Sequence, residues 1–302
     1  MKILNIGSLN LDFVYAVDHF VRPGETIAAK QFDKHSGGKG LNQSIALAKA
    51  KAQVFHAGKV GADGRGLIEL LGETGANTEL VEIVKDKPTG HAIIQVDEKG
   101  QNCIIIFGGA NQDISKSDID GMLEKFEKGD ILLLQNEASN AGYAIEQAYK
   151  KGMLVALNPS PIDDCLKKSP ALKYVHWFIL NEIEGFEISQ KREPDEILRE
   201  MKRLFPECIV VLTLGKDGVV YFDGEQKATH GIYEVPVADT MAAGDTFAGY
   251  FLAGTARGLP VPKCLELASK ASSLAVSRPG SGDSIPTLAE VESTDIKLVI
   301  RK

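Results

Sequence analysis

The chain has 302 residues, 44% of them hydrophobic and 25% charged, with a formal net charge of −7 and a pI near 5.5. That length suits one α/β domain, and an acidic balance with no basic block argues against nucleic acid as the main partner. Cys103, Cys165, Cys208 and Cys264 form no C-x-x-C pair, the histidines form no ligand pair, and no apolar run nears the ~20 residues needed to span a bilayer. The opening stretch Met-Lys-Ile-Leu-Asn-Ile-Gly lacks the apolar core of a signal peptide, so the expectation is a soluble cytoplasmic protein with reduced thiols.

Residues 2–6 read as a short buried strand, and residues 41–51 have helical spacing and cross to a second strand at 54–57. Two regions, 13–32 and 91–107, break this rhythm. Alternation over 91–96 and 102–107, about the polar turn at 97–100, predicts antiparallel strands of a small sheet. That sheet, drawn from about 13–35 and 88–108, either projects as a lid or extends an edge. Beyond residue 113, strands at 131–134, 153–157, 177–180 and 209–214 alternate with amphipathic helices at 141–150 and 195–205. Such alternation builds a mostly parallel sheet with helices on both faces. Residues 219–222 return after the turn Lys216-Asp217-Gly218, and helices at 246–257 and 262–277 close the chain. The predicted fold is a single α/β domain over 1–302, with a mostly parallel central sheet and a small projecting lid sheet.

Polar residues follow strand after strand: Asn10 and Asp12, then Glu137, Asn158 and Asn181, with Thr213 at a strand's end. Ligands of open α/β sheets bind beyond the carboxyl ends of the strands, so these residues and Asp245 predict one site. In Asp239-Thr-Met-Ala-Ala-Gly-Asp245, the small side chains of Ala242, Ala243 and Gly244 let a phosphate approach backbone N–H groups near a helix start. Asp245 either accepts a hydroxyl proton during phosphoryl transfer or merely caps the helix. Ser36-Gly-Gly-Lys-Gly-Leu-Asn42 is no Walker A loop, because Gly40 follows Lys39 and the upstream glycine spacing is missing. It is either a ligand loop offering Lys39 and Asn42, or a glycine turn into the helix with Lys39 solvated. Asn181 and Glu184 have the spacing of a capping box, and Asp217-Gly218 that of a hairpin turn. No G-x-G-x-x-G follows the first strand, which speaks against an oxidoreductase.

Three motifs carry a resemblance: Gly7-Ser-Leu-Asn-Leu-Asp12, Gly37-Gly-Lys-Gly-Leu-Asn-Gln43 and Asp239-Thr-Met-Ala-Ala-Gly-Asp-Thr-Phe247. With Gly108-Gly-Ala-Asn111, Leu157-Asn-Pro-Ser-Pro161, Asn181-Glu-Ile-Glu184 and Thr213-Leu-Gly-Lys-Asp-Gly218 in order, the chain resembles the ribokinase-like (PfkB-type) carbohydrate kinase family over essentially its whole length. The resemblance implies ATP-dependent phosphorylation of a sugar's primary hydroxyl, D-ribose first. The alternatives are another sugar such as deoxyribose or fructose, a nucleoside, or a silent sugar-binding regulator.

By the same resemblance Asp245 is the catalytic base, and Ala242, Ala243 and Gly244 form an anion hole. Asn10, Asp12, Gly38, Lys39, Gly40, Asn42 and Glu137 would bind the sugar. Asn181, Glu184, Thr213, Gly215, Gly218, Gly244 and Ser269 would border ATP, with Glu184 reaching magnesium (Mg2+) through water. A monovalent cation, potassium (K+), is implied at Asp239, Met241, Ala275, Arg278, Gly280 and Ser284. The expected partners are the sugar, ATP and a second copy joined through the lid sheet, whose exposed edges need covering, with neither nucleic acid nor membrane.

Overall fold

Apolar runs of four or five residues, too short to bury themselves as helices, become the middle of a nine-stranded sheet in the computed structural model, which describes residues 1–300. The first strands are β1 (Lys2–Ile6), β2 (Asn10–Ala16), β3 (Gln31–Gly37), β4 (Gln53–Gly61), β5 (Asn77–Val84), β6 (Gly90–Val96) and β7 (Asn102–Phe107). Then follow β8 (Ile131–Leu134), β9 (Leu154–Leu157), β10 (Trp177–Asn181), β11 (Ile209–Thr213), β12 (Val219–Phe222) and β13 (Lys227–His230). A two-stranded ladder, β14 (Ile232–Tyr233) with β15 (Leu298–Val299), lies apart. The helices are α1 (Lys39–Lys49), α2 (Arg65–Thr74), α3 (Lys116–Leu123), α4 (Ala141–Lys150) and α5 (Asp164–Lys167). They continue with α6 (Glu182–Ser189), α7 (Pro194–Leu204), α8 (Ala243–Ala256), α9 (Val261–Val276) and α10 (Leu288–Ser293). None is long and apolar enough to cross a membrane among the described residues.

The main sheet runs β13-β12-β11-β10-β9-β8-β1-β4-β5. Every pair from β11 to β5 is parallel, and β12 and β13 return antiparallel, as the turn at 216–218 predicts. All four residues of β8 are buried, which explains why its sequence is continuously apolar rather than alternating. One core, with Leu47, Phe251 and Leu265, covers one face; Phe126, Ile145 and Phe178 belong to the core on the other. From β1 the chain first builds outward through β4 and β5, then returns to β8 and builds the opposite way. Strand order therefore reverses beside β1, where a crevice opens at the carboxyl ends.

A four-stranded sheet, β3-β2-β6-β7, projects from this end. β7 on β6 is antiparallel as expected, and so is β3 on β2, but the central pair β2–β6 is parallel. Alternation gives a strand's faces and not its direction. β1 and β5 point the same way, so the segments leaving them, β2 and β6, do too. The sequence reading also lacked β5, β13, β14, β15, α2, α3, α5 and α10, marked α6 only by its capping box, and began α8 three residues late.

Candidate active site

Ala242 sits in the left-handed region (φ 56°) as the N-cap of α8, so Ala243, Gly244 and Asp245 form its first turn. First-turn N–H groups have no partner inside a helix. A side-chain carbon built on Gly244 would meet nothing within 4 Å, so the space above these donors is open. Asp245 is not the cap, which removes that alternative. Its side chain is 6% exposed; Oδ2 accepts from Asn42 Nδ2 at 3.0 Å and Oδ1 from Gln43 Nε2 at 2.9 Å.

α1 supplies both amides, and two glycines fix its start. Gly38 has φ 98°, and a Cβ on Gly40 would stand 2.4 Å from the Ser8 backbone nitrogen. Leu41 N donates to Ser8 O at 2.9 Å, and Gly40 N to Ser8 Oγ at 3.2 Å. Gly40 is thus a close-packing residue behind the cavity, and it is not among the residues that line it. Glu137 Oε2 accepts from Lys39 N at 3.0 Å and from the Ser8 hydroxyl. Asn10 Oδ1 accepts from Asn111 Nδ2 at 2.7 Å, which turns the Asn10 amide into one fixed orientation.

These residues line a cavity of about 390 Å³: Asn10, Asp12, Gly38, Lys39, Asn42, Glu137 and Asp245 stand around it, and Ala92, Ile94, Ile104 and Ile106 of the lid form an apolar roof. Burial, aided by the Glu137 charge and opposed by His35, pushes the Asp12 carboxyl up to about 6. The Asp245 carboxylate, more than Glu137 or Glu184, raises the Lys39 ammonium against the burial that lowers it. Lys39 lines the same cavity as Asp245, half-buried rather than fully exposed to solvent.

A second cavity of about 720 Å³ holds Gly215, Gly218 and Ser269, with apolar Tyr233, Val235 and Phe247. Asn181, Thr213, Thr240, Ala243 and Gly244 line both spaces, so the two meet at the first turn of α8. The capping box of α6 is real: Glu184 N donates to Asn181 Oδ1 at 2.9 Å and Asn181 N to Glu184 Oε2 at 3.0 Å. Glu184 nonetheless lines the first cavity. Close by, Asp239 ties two segments together, accepting from Met241 N at 2.9 Å and Gly280 N at 3.2 Å. The Arg278 guanidinium bonds Glu290 at 2.9 Å and the Ser284 hydroxyl bonds Ser281 O at 2.7 Å, which leaves their backbone carbonyls rather than side chains for a ligand.

Residues 1–288 match the pfkB family carbohydrate kinases. The chain belongs to that family. It is 33% identical to the ribokinase of Bacillus subtilis (strain 168) over 295 residues, covering 96% of this chain and 98% of the relative. It is 31% identical to a deoxyribokinase of Salmonella typhi over 301 residues, covering 96% and 97%. The structure of Arabidopsis thaliana ribokinase complexed with ribose and ATP superposes with a TM-score of 0.86 at 29% identity, covering 96% of this chain and 97% of that one.

The kinase thus presents two cavities that share one helix start, with the Asp245 carboxylate lining the first of them. Sequence reading missed four residues that shape this site. Gln43, Gln135 and Asn111 are buried supports, and Ser281 Oγ donates to Asn42 Oδ1 at 2.9 Å. Gln43 and Asn111 do stand at the ends of motifs already singled out, next to Asn42 and after two glycines. Gln135 and Ser281 carry no local signal.

Proposed function

We propose that the chain transfers the γ-phosphoryl group of ATP to the primary hydroxyl of D-ribose, giving D-ribose 5-phosphate and ADP. The observation that carries this is Asp245 lining the polar cavity one residue after Gly244, which lines both that cavity and a larger, partly apolar one. Ribose in the first cavity would meet Asn10, Asp12, Gly38, Lys39, Asn42 and Glu137; ATP in the second would lie along Asn181, Thr213, Gly215, Gly218 and Ser269. As the hydroxyl oxygen attacks the γ-phosphorus, its proton passes to Asp245, and the β,γ-bridging oxygen leaves with ADP. The Gly244 N–H in the first turn of α8 would face the charge spreading over the transferring oxygens, beside Ala242 and Ala243, the latter donating its N–H to Thr240 O at 3.4 Å. Lys39 would bring positive charge into the same cavity as Asp245.

Among the described residues no group of three or more His, Cys, Asp or Glu side chains converges to hold a metal. Magnesium would therefore arrive with the phosphates, keeping its waters, with Glu184 on that water shell. A potassium ion would sit at Asp239 and the backbone carbonyls of Met241, Ala275, Arg278, Gly280 and Ser284; the bonding of Asp239 to both segments supports this. Its positive charge would offset the carbonyl dipoles beside the anion hole. A second copy would cover the outer face of the lid.

One assay of ADP release tests the scheme, run on ribose, deoxyribose, fructose and adenosine in potassium or sodium salt. Ribose in potassium should give the highest kcat/KM, since a site built to bond a hydroxyl rejects analogues lacking it. Asp245→Asn should lose about 10²–10⁴ in kcat with ribose binding intact. Wild-type turnover in that variant removes Asp245 as base, a better rate on deoxyribose or adenosine replaces the substrate, and equal rates in both salts remove the ion.

A further inference from the structure

We propose that Gln43, locked from behind by Gln135, is a positioning residue that fixes the orientation of the Asp245 carboxylate. The inference rests on Asp245 being the base. Gln43 is 0% exposed and lines neither cavity, so it touches no substrate and can act only through its neighbours. Its Nε2 donates to Asp245 Oδ1 at 2.9 Å and to Asn158 Oδ1 at 3.0 Å.

What fixes that amide is a string of bonds with one possible polarity. The Gly40 carbonyl can only accept, and Asn5 Nδ2 donates to it at 2.8 Å. The Asn5 Oδ1 must then face Gln135, whose Nε2 donates to it at 3.0 Å. The second N–H of the same nitrogen donates to Gln43 Oε1 at 2.6 Å. Gln43 is left with its NH₂ toward Asp245, and an ionised carboxylate can only accept. Both ends of the string are therefore acceptors, and Gln135 in the middle spends both protons to satisfy them.

The cost falls on Gln135 itself. It is 1% exposed, and its Oε1 has no hydrogen-bond partner. A buried unpaired oxygen costs on the order of 1–3 kcal/mol, and one kept in place asks for a reason. Orienting the base supplies it, because flipping Gln135 to satisfy that oxygen would aim two oxygens at each other and release the Gln43 amide. Asn42 holds the other carboxylate oxygen and is itself held by Ser281, so the base is gripped on both sides.

The test is the pH profile of kcat/KM for ribose in Gln43→Met, Gln43→Glu and Gln135→Met, with Asp245→Asn as control. Lys39 of α1, Asp12 of β2, Glu137 beyond β8 and Glu184 of α6 are the charged groups around the same cavity. None is a hydrogen-bond partner of Gln43, so they set one baseline for every variant. Loss of a donor weakens the ionised form, so the acid limb should move up by about one unit in Gln43→Met. kcat should fall about tenfold, with KM for ribose little changed. Gln43→Glu keeps the shape, reads out the same limb if the methionine variant fails to fold, and should shift it at least as far. An unmoved limb, whether turnover is kept or lowered, overturns the proposal. An active Asp245→Asn instead overturns the base assignment beneath it.

Discussion

At Gly244 and Asp12 the residue present is not the one that the fold alone would favour. Nothing packs within 4 Å of where a Gly244 Cβ would be, and its φ is not in the left-handed region. The fold has room for alanine there, and helix propensity favours it by roughly 0.4–1 kcal/mol. The methyl group would, however, stand in the space above the first-turn N–H groups. Gly244→Ala should therefore keep or slightly raise the melting temperature while kcat drops by about 10²-fold or more. A variant as active as the parent would show that phosphate passes elsewhere. Asp12 carries the opposite tension. Its carboxyl titrates at about 6 in the folded chain, above its ordinary 3.8, because burial and Glu137 disfavour the charge. Between those values the folded chain binds a proton that the unfolded chain releases. Its contribution to stability is full below the ordinary carboxylate value and is lost as pH rises through about 6. A shift of this size is worth up to about 3 kcal/mol, and partial exposure trims it. Asp12→Asn should raise the melting temperature at about pH 8, with the gain fading near pH 4, and should lose ribose affinity. Calorimetry at the two pH values checks the sign; equal gains at both would place the effect outside this carboxyl.

At the scale of elements, the site depends on how closely α1 and α8 approach. A Cβ on Gly249 would stand 2.4 Å from the Ala46 Cβ and 3.0 Å from the Leu47 nitrogen. Gly249 is one turn beyond Asp245, and Ala46 one turn beyond Asn42, so this contact sets the spacing of Asp245 and its amides. Gly249→Ala should cost about 1–3 kcal/mol by overpacking. It should also slow kcat about tenfold, because a small misplacement of a catalytic group is expensive. Unchanged stability and rate together would mean the helices separate without disturbing the base. This pairing also marks what the sequence could not reveal. The parallel core was legible because β8 to β11 are unbroken apolar runs bounded by polar residues, and those bounding residues turned out to ring the site. β5 was not, because an edge strand written Asn-Thr-Glu-Leu-Val-Glu-Ile-Val is half buried and mixes polar with apolar. The start of α8 was hidden by a left-handed alanine, a conformation for which alanine gives no cue. Asn10, Asp12, Lys39, Asn42 and Asp245 could be named from motifs. Gln135 and Ser281 could not, since their partners lie 92 and 239 residues away in the chain.

The whole molecule leaves one layer unfinished. All six residues of β7 are exposed, yet four of them are Ile104, Ile105, Ile106 and Phe107. Cross-strand pairing sorts them: Ile104 and Ile106 stand opposite Ile94 and Ala92 over the first cavity, while Ile105 and Phe107 stand opposite Ile93 and His91 on the far side. That far side continues across the lid through Phe13, Tyr15 and Phe32, with ring centroids 6.1 Å apart for Phe13–Phe32 and 5.0 Å for Tyr15–Phe32. Ile105 is 62% exposed, Phe107 and Phe32 each 52%. Apolar patches of this extent mark an interaction surface, and a small sheet gains stability when its apolar face is covered. A second lid packed face to face would supply that layer and hold Ile104 and Ile106 over the sugar. Sedimentation should accordingly find a dimer, and Ile105→Glu, which places a charge at the centre of the patch, should yield a monomer. Because the far face supports the roof and never meets the phosphate, the monomer should show a raised KM for ribose with kcat largely kept. A parent chain that sediments as a monomer at assay concentration would remove the interface, and a monomeric variant with unchanged KM would uncouple it from the site.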